Sequence, residues 1–403
     1  MSEIYDIAVI GSGVAGSFAA MKIAHSHKAL KVLIIEAGRP SRKRRSQMSG
    51  YLGLMPNTDG RLYMPDLSFV ESLTTKSKTK IAFDWFKSNT EEVINFDIIK
   101  DKSPSISAEK RVKKSGFEVK LNDHIQLFPA EIHNLSKFIS DQVTKKENIR
   151  SIYDTEVSAI SKERGHFLIT ADEETYKCKR LLVSIGRSGW RQASSLFQQL
   201  GIVENNDFAE IGIRIEMSES SMKEFNHSHC SIVKDDITIG PLSWGGTVIP
   251  EDHYDMVISS FRGNESRWKS NKVSFNLLSK QLFKDAGVEQ ANRIGQLTFI
   301  LTNDRIAREK VSTILAHKSK LSIMPEYNWL INAIEQVSGF IPELKNKAYC
   351  HFPTLVPRVS KVKLGTNLST DMEGLYVAGE SARVPGILGA IVSGIIAGES
   401  IIK

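Results

Sequence analysis

Read for hydrophobic period alone, the chain opens with a short apolar run, Ile4–Ile10, of the kind that forms a buried strand. A break at 11–13 follows, and Val14, Phe18 and Met21 then recur at helical spacing through Ala24. A second apolar run, Lys31-Val32-Leu33-Ile34-Ile35, ends in Glu36. Between 152 and 179 the pattern alternates in short segments, with Val157 and Ile160 followed by Phe167-Leu168-Ile169 and Tyr176. That alternation predicts a small antiparallel meander leading into a strand from Arg180, with Gly186 and Gly189 at its exit. Ile211–Met217 and Tyr254–Phe261 also read as strands, whereas the apolar spacing of Phe275–Phe283 and Tyr327–Val337 predicts helices. Pro325 and Pro342 fall at expected boundaries. Towards the end, a short strand at Gly374–Val377 meets the loop Pro385–Gly389 and then a helix of small residues.

The most apolar stretch, Val384–Ile402, approaches the ~20 residues a bilayer span requires. It holds Gly386, Gly389, Gly394 and Gly398, with Pro385 at one end and Glu399 at the other, so a buried helix is expected rather than a membrane segment. A length of 403 residues exceeds one typical domain and predicts two. Charge is moderately basic, 53 Lys plus Arg against 46 Asp plus Glu, and spread along the chain. The runs Lys76–Lys80 and Lys110–Lys114 read as solvated faces. Cys178, Cys230 and Cys350 are odd in number and widely spaced, which argues against a disulfide framework and against a metal site. With Glu3 and Asp6 where a signal peptide would carry basic residues, the expected location is the reducing cytoplasm.

The break after the first strand is Gly11-Ser12-Gly13-Val14-Ala15-Gly16, a complete G-x-G-x-x-G in the order strand, turn, helix, strand, acid. Gly11 permits the tight turn, Gly13 lets backbone approach a pyrophosphate, and Gly16 allows helix and strand to touch. The helix start offers N–H groups and a positive dipole end to the diphosphate. Glu36 stands where a carboxylate can accept hydrogen bonds from ribose hydroxyls. A dinucleotide site built on Gly11, Ser12, Gly13, Val14, Ala15, Gly16 and Glu36 is therefore expected.

Glu36 is followed by Ala37-Gly38-Arg39 and then by a basic run. This acid-small-Gly order resembles the FAD branch of the two-motif flavoproteins, the glutathione-reductase-like superfamily. The resemblance implies contacts from Ala37 and Gly38, and a basic residue of 39–45, here taken as Arg44, neutralising a phosphate. At the other end, Gly374-Leu375-Tyr376-Val377-Ala378-Gly379-Glu380 and the loop before Leu388-Gly389-Ala390 resemble the second FAD motif. There the carboxylate after the glycine, Glu380, would bind the ribityl chain, and the next helix would aim its N-terminus at the flavin pyrimidine ring. A helix start suits the negative charge that reduced flavin carries near N1. Val157 of the meander and Gly186 carry over as positions beside the cofactor.

The likeness extends to a group of bacterial FAD-dependent dehydrogenases. Its segments Ile185–Trp190, Ile211–Glu216 and Gly245–Pro250 occur here in that order, and Gly50–Met64 is similar to the group's loop over the flavin. That loop departs from the group at Leu54, Met55 and Pro56, where small glycines are usual, and the Asn-Gly pair expected near Ser259–Arg262 is missing. Fold and cofactor carry over better than activity. The implied architecture is α/β: a Rossmann-like FAD-binding domain, parallel sheet plus antiparallel meander, from 1–204 and 351–403. An inserted α+β substrate domain, 205–350, would close over the isoalloxazine.

The expected function is an FAD-dependent oxidoreductase, dehydrogenase or reductase, exchanging hydride between flavin N5 and a small, possibly anionic, organic substrate. Without a second G-x-G-x-x-G or any C-x-x-C, neither an inserted nicotinamide domain nor dithiol chemistry is expected, so NADH or NADPH would visit transiently. A flavin monooxygenase or halogenase is the alternative. A nucleic-acid-acting flavoprotein is a third reading, supported by the net charge of +7 alone and disfavoured by the scatter of Trp85, Trp190, Trp244, Trp268 and Trp329. Arg187, Trp244, His253, Arg262, His351 and Arg358 are polar residues suited to a site. Of these His351 and Arg358, just before the C-terminal motif, are the catalytic candidates: an acid or base, and a carboxylate clamp.

Overall fold

The computed structural model describes residues 3–40, 43, 48–253, 256–263, 269–303 and 305–403. The chain divides into two compact units, one from 1–97, 125–206 and 358–403, the other from 98–124 and 207–357. The boundaries expected from sequence lay at 204/205 and 350/351, and the segment 98–124 was not set apart.

The first unit is organised by a mainly parallel sheet. Strands β1 (Ile4–Ile10), β2 (Val32–Ile35) and β3 (Ile149–Ile152) precede the meander β4 (Val157–Glu163), β5 (His166–Ala171) and β6 (Glu174–Val183). Their order across the sheet is β3-β2-β1-β6-β5-β4, with the strand Leu375–Val377 also pairing β6. Parallel register places Val9 beside Ile34 and Leu182, so β1 is central. Ile7, Ala8, Val9 and Ile10 are buried, which is why this strand reads as a continuous apolar run rather than an alternating one. The meander is antiparallel throughout, Tyr176 opposite Ile169 and Ile160 opposite Ile169 on the other side.

Among the described residues the α-helices of this unit are α1 (Val14–Ser26), α2 (Asp66–Leu73), α3 (Lys76–Thr90), α4 (Pro129–Thr144), α5 (Trp190–Gln199) and α6 (Ile387–Ile401). Helix α6 is the predicted small-residue helix, and it lies directly on α1. A Cβ at Gly394 would overlap the Ala15 carbonyl oxygen, and one at Gly398 would sit 2.7 Å from the Ala19 oxygen. The glycines thus bring two helix backbones together without intervening side chains, and Leu388, Ile391, Val392 and Ile395 fill the adjoining core. Among the described residues no helix is long and apolar enough to cross a membrane.

The second unit is built on a larger, antiparallel sheet. Its long central strands are β7 (Phe208–Ser218) and β8 (Lys272–Leu282), flanked by β9 (Ala307–Lys310) and β10 (Tyr349–Val356). The order runs β9-β10-β7-β8, then Ile237–Ile239, Ser231–Lys234 and Glu118–Lys120. The last of these places 98–124 in this unit, Ser231 standing opposite Lys120. Its helices include Ile106–Lys114, Gly287–Leu301 and Trp329–Ser338, the last close to its predicted span.

The helix predicted over Phe275–Phe283 is a strand instead. Phe275, Leu278 and Leu282 recur at a helix-compatible interval, but β8 pairs with β7 along its whole length, Ile213 opposite Leu277 and Glu216 opposite Ser274. Because Val273, Phe275, Leu277 and Leu278 are all buried, both faces of the strand carry apolar residues and the period of two is obscured.

Candidate cofactor site

The glycine turn between β1 and α1 has the geometry its residues require. Gly11 has φ +91°, and Gly16 is so close to it that a Cβ there would overlap the Gly11 carbonyl oxygen. Ser184, at the end of β6, donates its hydroxyl to the Gly11 oxygen at 2.9 Å and ties the turn to the sheet. Gly13 differs from both: a Cβ on it would meet nothing within 4 Å. It is the N-cap of α1, and no side chain caps that helix. The first N–H groups of α1 have no intrahelical partners. Val14 and Ala15 are buried with their side chains in the core, so their part in a site is through backbone.

Glu36, at the end of β2, is 7% exposed and held by four donors. Oε2 accepts from the Ser12 N–H at 2.7 Å and the Ser12 hydroxyl at 3.1 Å, and Oε1 accepts from the N–H groups of Gly38 and Gly50 at 2.8 and 3.1 Å. The carboxylate therefore joins the glycine turn, the end of β2 and the loop from Met48 in one knot. The loop is fastened again where Leu52 N–H donates to the Ser12 oxygen at 2.8 Å. Gly38 packs so tightly on Gly50 that a Cβ would overlap the Gly50 nitrogen, while Ala37 is exposed. Arg44 lies outside the described residues.

The C-terminal motif completes the same unit. Gly379 N–H donates to the Ser393 hydroxyl at 3.1 Å, and a Cβ on Gly379 would lie 2.9 Å from the Ala15 Cβ, so the second motif stands against the first. Glu380 Oε1 accepts from Arg187 Nη2 at 2.6 Å. Arg187 follows Gly186, which is exposed and would accept a Cβ without contact. Val157 is buried, and its carbonyl accepts from Gln192 at 2.6 Å. Helix α6 starts from Gly386, φ +78°, again with no side-chain cap. Buried Leu388 and Gly389 and half-buried Ala390 form its first turn.

Asp66, the first residue of α2, was not singled out by sequence. Its carboxylate lies against the start of α6, where a Cβ on Gly386 would overlap Oδ2. Oδ2 is sealed from solvent and makes no hydrogen bond. Burial, followed by the charge of Glu380, pushes the Asp66 carboxyl up to about 7 against the opposing pull of Arg187. No sequence signal marks such a residue, because its chemistry comes from α6 and Glu380, far along the chain.

The catalytic candidates fall in different units. Arg358 belongs to the first unit and is half-buried. His351 lies on β10 in the second unit, opposite Arg214 of β7 and Arg308 of β9. Beside it Glu216 accepts from Lys272 at 2.8 Å and Arg308 at 3.3 Å, with His351 Nε2 at 3.7 Å from its other oxygen. Burial lowers the His351 pKa to about 4, the cations Arg308, Arg214 and Lys272 adding to the effect against Glu216. Neutral at physiological pH, His351 is not a ready proton shuttle there, and its Nε2 has no hydrogen-bond partner. Also in the second unit, His253 Nε2 meets Glu251 at 2.7 Å, Trp244 Nε1 donates to the Ser228 oxygen, and Arg262 is buried. Among the described residues no group of three or more His, Cys, Asp and Glu could hold a metal.

No protein-family model matches the chain, and no curated protein sequence matches it either. Solved structures do align along its length. A glycine oxidase from Geobacillus kaustophilus is 12% identical over 100% of this chain and 95% of its own, with a TM-score of 0.47. A geranylgeranyl bacteriochlorophyll reductase-like protein from Thermoplasma acidophilum is 16% identical over 99% of this chain and 78% of its own, at 0.41. The p-nitrophenol 4-monooxygenase of Pseudomonas putida is 11% identical over 99% and 78%, at 0.44.

Proposed function

We propose that the chain is an FAD-dependent oxidoreductase whose cofactor lies in the first unit, between the starts of α1 and α6. One observation carries the reading: two uncapped helices, from the two ends of the chain, pack backbone to backbone beside a glycine turn with open space at Gly13. The N–H groups of the first turn of α1 would hold the diphosphate, with Gly13 giving it room. Glu36 would take a ribose hydroxyl in exchange for the Ser12 hydroxyl, which can rotate away, while the three backbone donors keep the carboxylate in place. Glu380, oriented by Arg187, would meet the ribityl chain, and the start of α6 would stabilise negative charge on the ring end. Bound there, FAD would supply two-electron, hydride-type exchange with an organic substrate.

The electron donor in this reading is NADH or NADPH visiting transiently, or the substrate itself. An anionic substrate is favoured by the second unit, where Arg214, Lys272 and Arg308 outnumber Glu216 around a neutral His351.

The test is an absorption spectrum of the purified, FAD-supplemented protein, followed by anaerobic NADH or NADPH. Stoichiometric flavin that bleaches supports the reading. A protein that refuses FAD at micromolar concentration refutes it. Oxygen uptake matched to hydroxylated or halogenated product would move the assignment to a monooxygenase or halogenase.

A further inference from the structure

Asp66 carries a carboxylate oxygen, Oδ2, that is sealed from solvent and has no hydrogen-bond partner. Its neighbours in the cradle are accounted for: Glu36 has four donors, Glu380 has Arg187, and Asp59 has Arg61 at 2.6 Å. Oδ2 of Asp66 has none, and it is sealed beneath the start of α6. Gly386 is required for this placement, since any side chain there would occupy the position of the carboxylate.

A buried acid at a helix start usually caps it, accepting from the N–H of the second or third residue. Asp66 does not: α6 has no side-chain cap. The carboxyl and the uncapped N–H groups therefore stand side by side, both unengaged. One is a proton-binding group and the other a site for negative charge.

The charged and titratable groups that face Asp66 are few. Glu380 raises its proton affinity and Arg187 lowers it. Tyr63 feels its charge and is itself held protonated, chiefly by burial. The first two turns of α6, Ile387 to Gly394, contain no titratable side chain. On α3, which also packs on α2, Lys80 is paired with Asp84 and Lys78 with Thr366.

We infer that Asp66 is a proton-storing group for the cofactor: it takes up one proton when a flavin in this cradle accepts two electrons, and returns it on reoxidation. The inference rests on the proposed FAD site. Without Asp66, a two-electron reduction that leaves the ring anionic consumes one proton, delivered with the electrons when the donor is an organic hydride. With Asp66 ionised beforehand, the new negative charge draws a second proton from solvent onto the carboxylate. The summed change is then two electrons and two protons per flavin, the donor being oxidised by two electrons. Burial and Glu380 have already raised the proton affinity of this carboxyl, to about 7, and a negative charge added beside it raises that affinity further.

The experiment is spectroelectrochemical titration of FAD-loaded protein, wild type and Asp66→Asn, across the range from about pH 7.5 to 9 in which an acid of this strength is ionised. The midpoint potential should fall with pH twice as steeply in wild type as in the variant. Reduced-minus-oxidised infrared spectra of the wild type should gain a protonated-carboxyl band that shifts on isotopic labelling of aspartate. This second measurement needs no variant and holds if Asp66→Asn fails to fold. Equal slopes, no carboxyl band, or a band unmoved by aspartate labelling would each overturn the inference while leaving FAD binding intact. A wild-type protein that binds no flavin fails at the earlier step and overturns the cofactor reading itself.

Discussion

Replacing Asp66 with asparagine keeps the volume of the side chain and removes its ability to ionise, which exposes the burial of this carboxyl as a pH-dependent cost. The displacement from 3.8 to about 7 corresponds to about 4 kcal/mol between the native and unfolded chains. The dipole at the start of α6 favours the ionised form and returns ~0.3–1 kcal/mol, leaving about 3 kcal/mol. The sign follows from the direction of the shift. Because the native pKa is raised, the folded protein binds this proton more tightly than the unfolded chain does. The stabilisation is fully present below about pH 4 and is lost as pH climbs through about 7. Wild type minus Asp66→Asn should therefore lose about 3 kcal/mol of stability between pH 4 and 8, with most of the loss complete by pH 7. Urea unfolding of the FAD-free proteins at a series of pH values measures it, with Trp85 and Trp190 reporting on the first unit. Taking the difference cancels every group shared by the two proteins. A difference that stays flat within about 1 kcal/mol, or rises with pH, would refute the placement of Asp66 in a low-dielectric site.

Three further outcomes are expected. Gly13→Ala should leave stability within about 0.5 kcal/mol and weaken FAD binding at least tenfold, whereas Gly16→Ala, whose Cβ overlaps the Gly11 oxygen, should cost about 2–3 kcal/mol in denaturant melts. His351, lowered to about 4, should show no imidazole titration by NMR between pH 8 and 5; the unfolded chain binds its proton first, so this group makes stability fall as pH drops from about 6.5 towards 4. Cys178, Cys230 and Cys350 are buried with thiols pushed up to about 12 by burial, so a thiol reagent should label none of them in the native protein and all three in denaturant.

Legibility from sequence followed the range of the interactions involved. The turn Gly11–Gly16 was readable because its constraints act within a few residues: positive φ at Gly11 and contact between Gly11 and Gly16. The β1-α1-β2 unit was readable for the same reason, and so was the small-residue helix α6, whose composition betrays close packing. The strand at 272–282 was not, since its state is decided by pairing with β7 across the sheet rather than by its own period. The membership of 98–124 was hidden similarly, resting on the contact of Lys120 with Ser231. At the site, the glycines announced themselves, but the four-donor hold on Glu36 depends on Gly50, and the chemistry of Asp66 on Gly386 and Glu380. An aspartate beginning a helix after a proline looks ordinary in any sequence.

The glycine seam between α1 and α6 also bears on how the protein is made. Helix α1 leaves the ribosome well before Gly394 and Gly398, which bring the surface of α6 that packs on it. Until then the side of α1 that faces α6 has no native partner, although Phe18 already meets Phe86, and the glycine turn has no second motif to face. Closure over so long a stretch of chain is slow and exposes apolar surface meanwhile. The nascent chain should therefore lean on chaperones until α6 emerges, and a premature stop before 387 should yield a product that is degraded or aggregated, rather than a smaller flavoprotein.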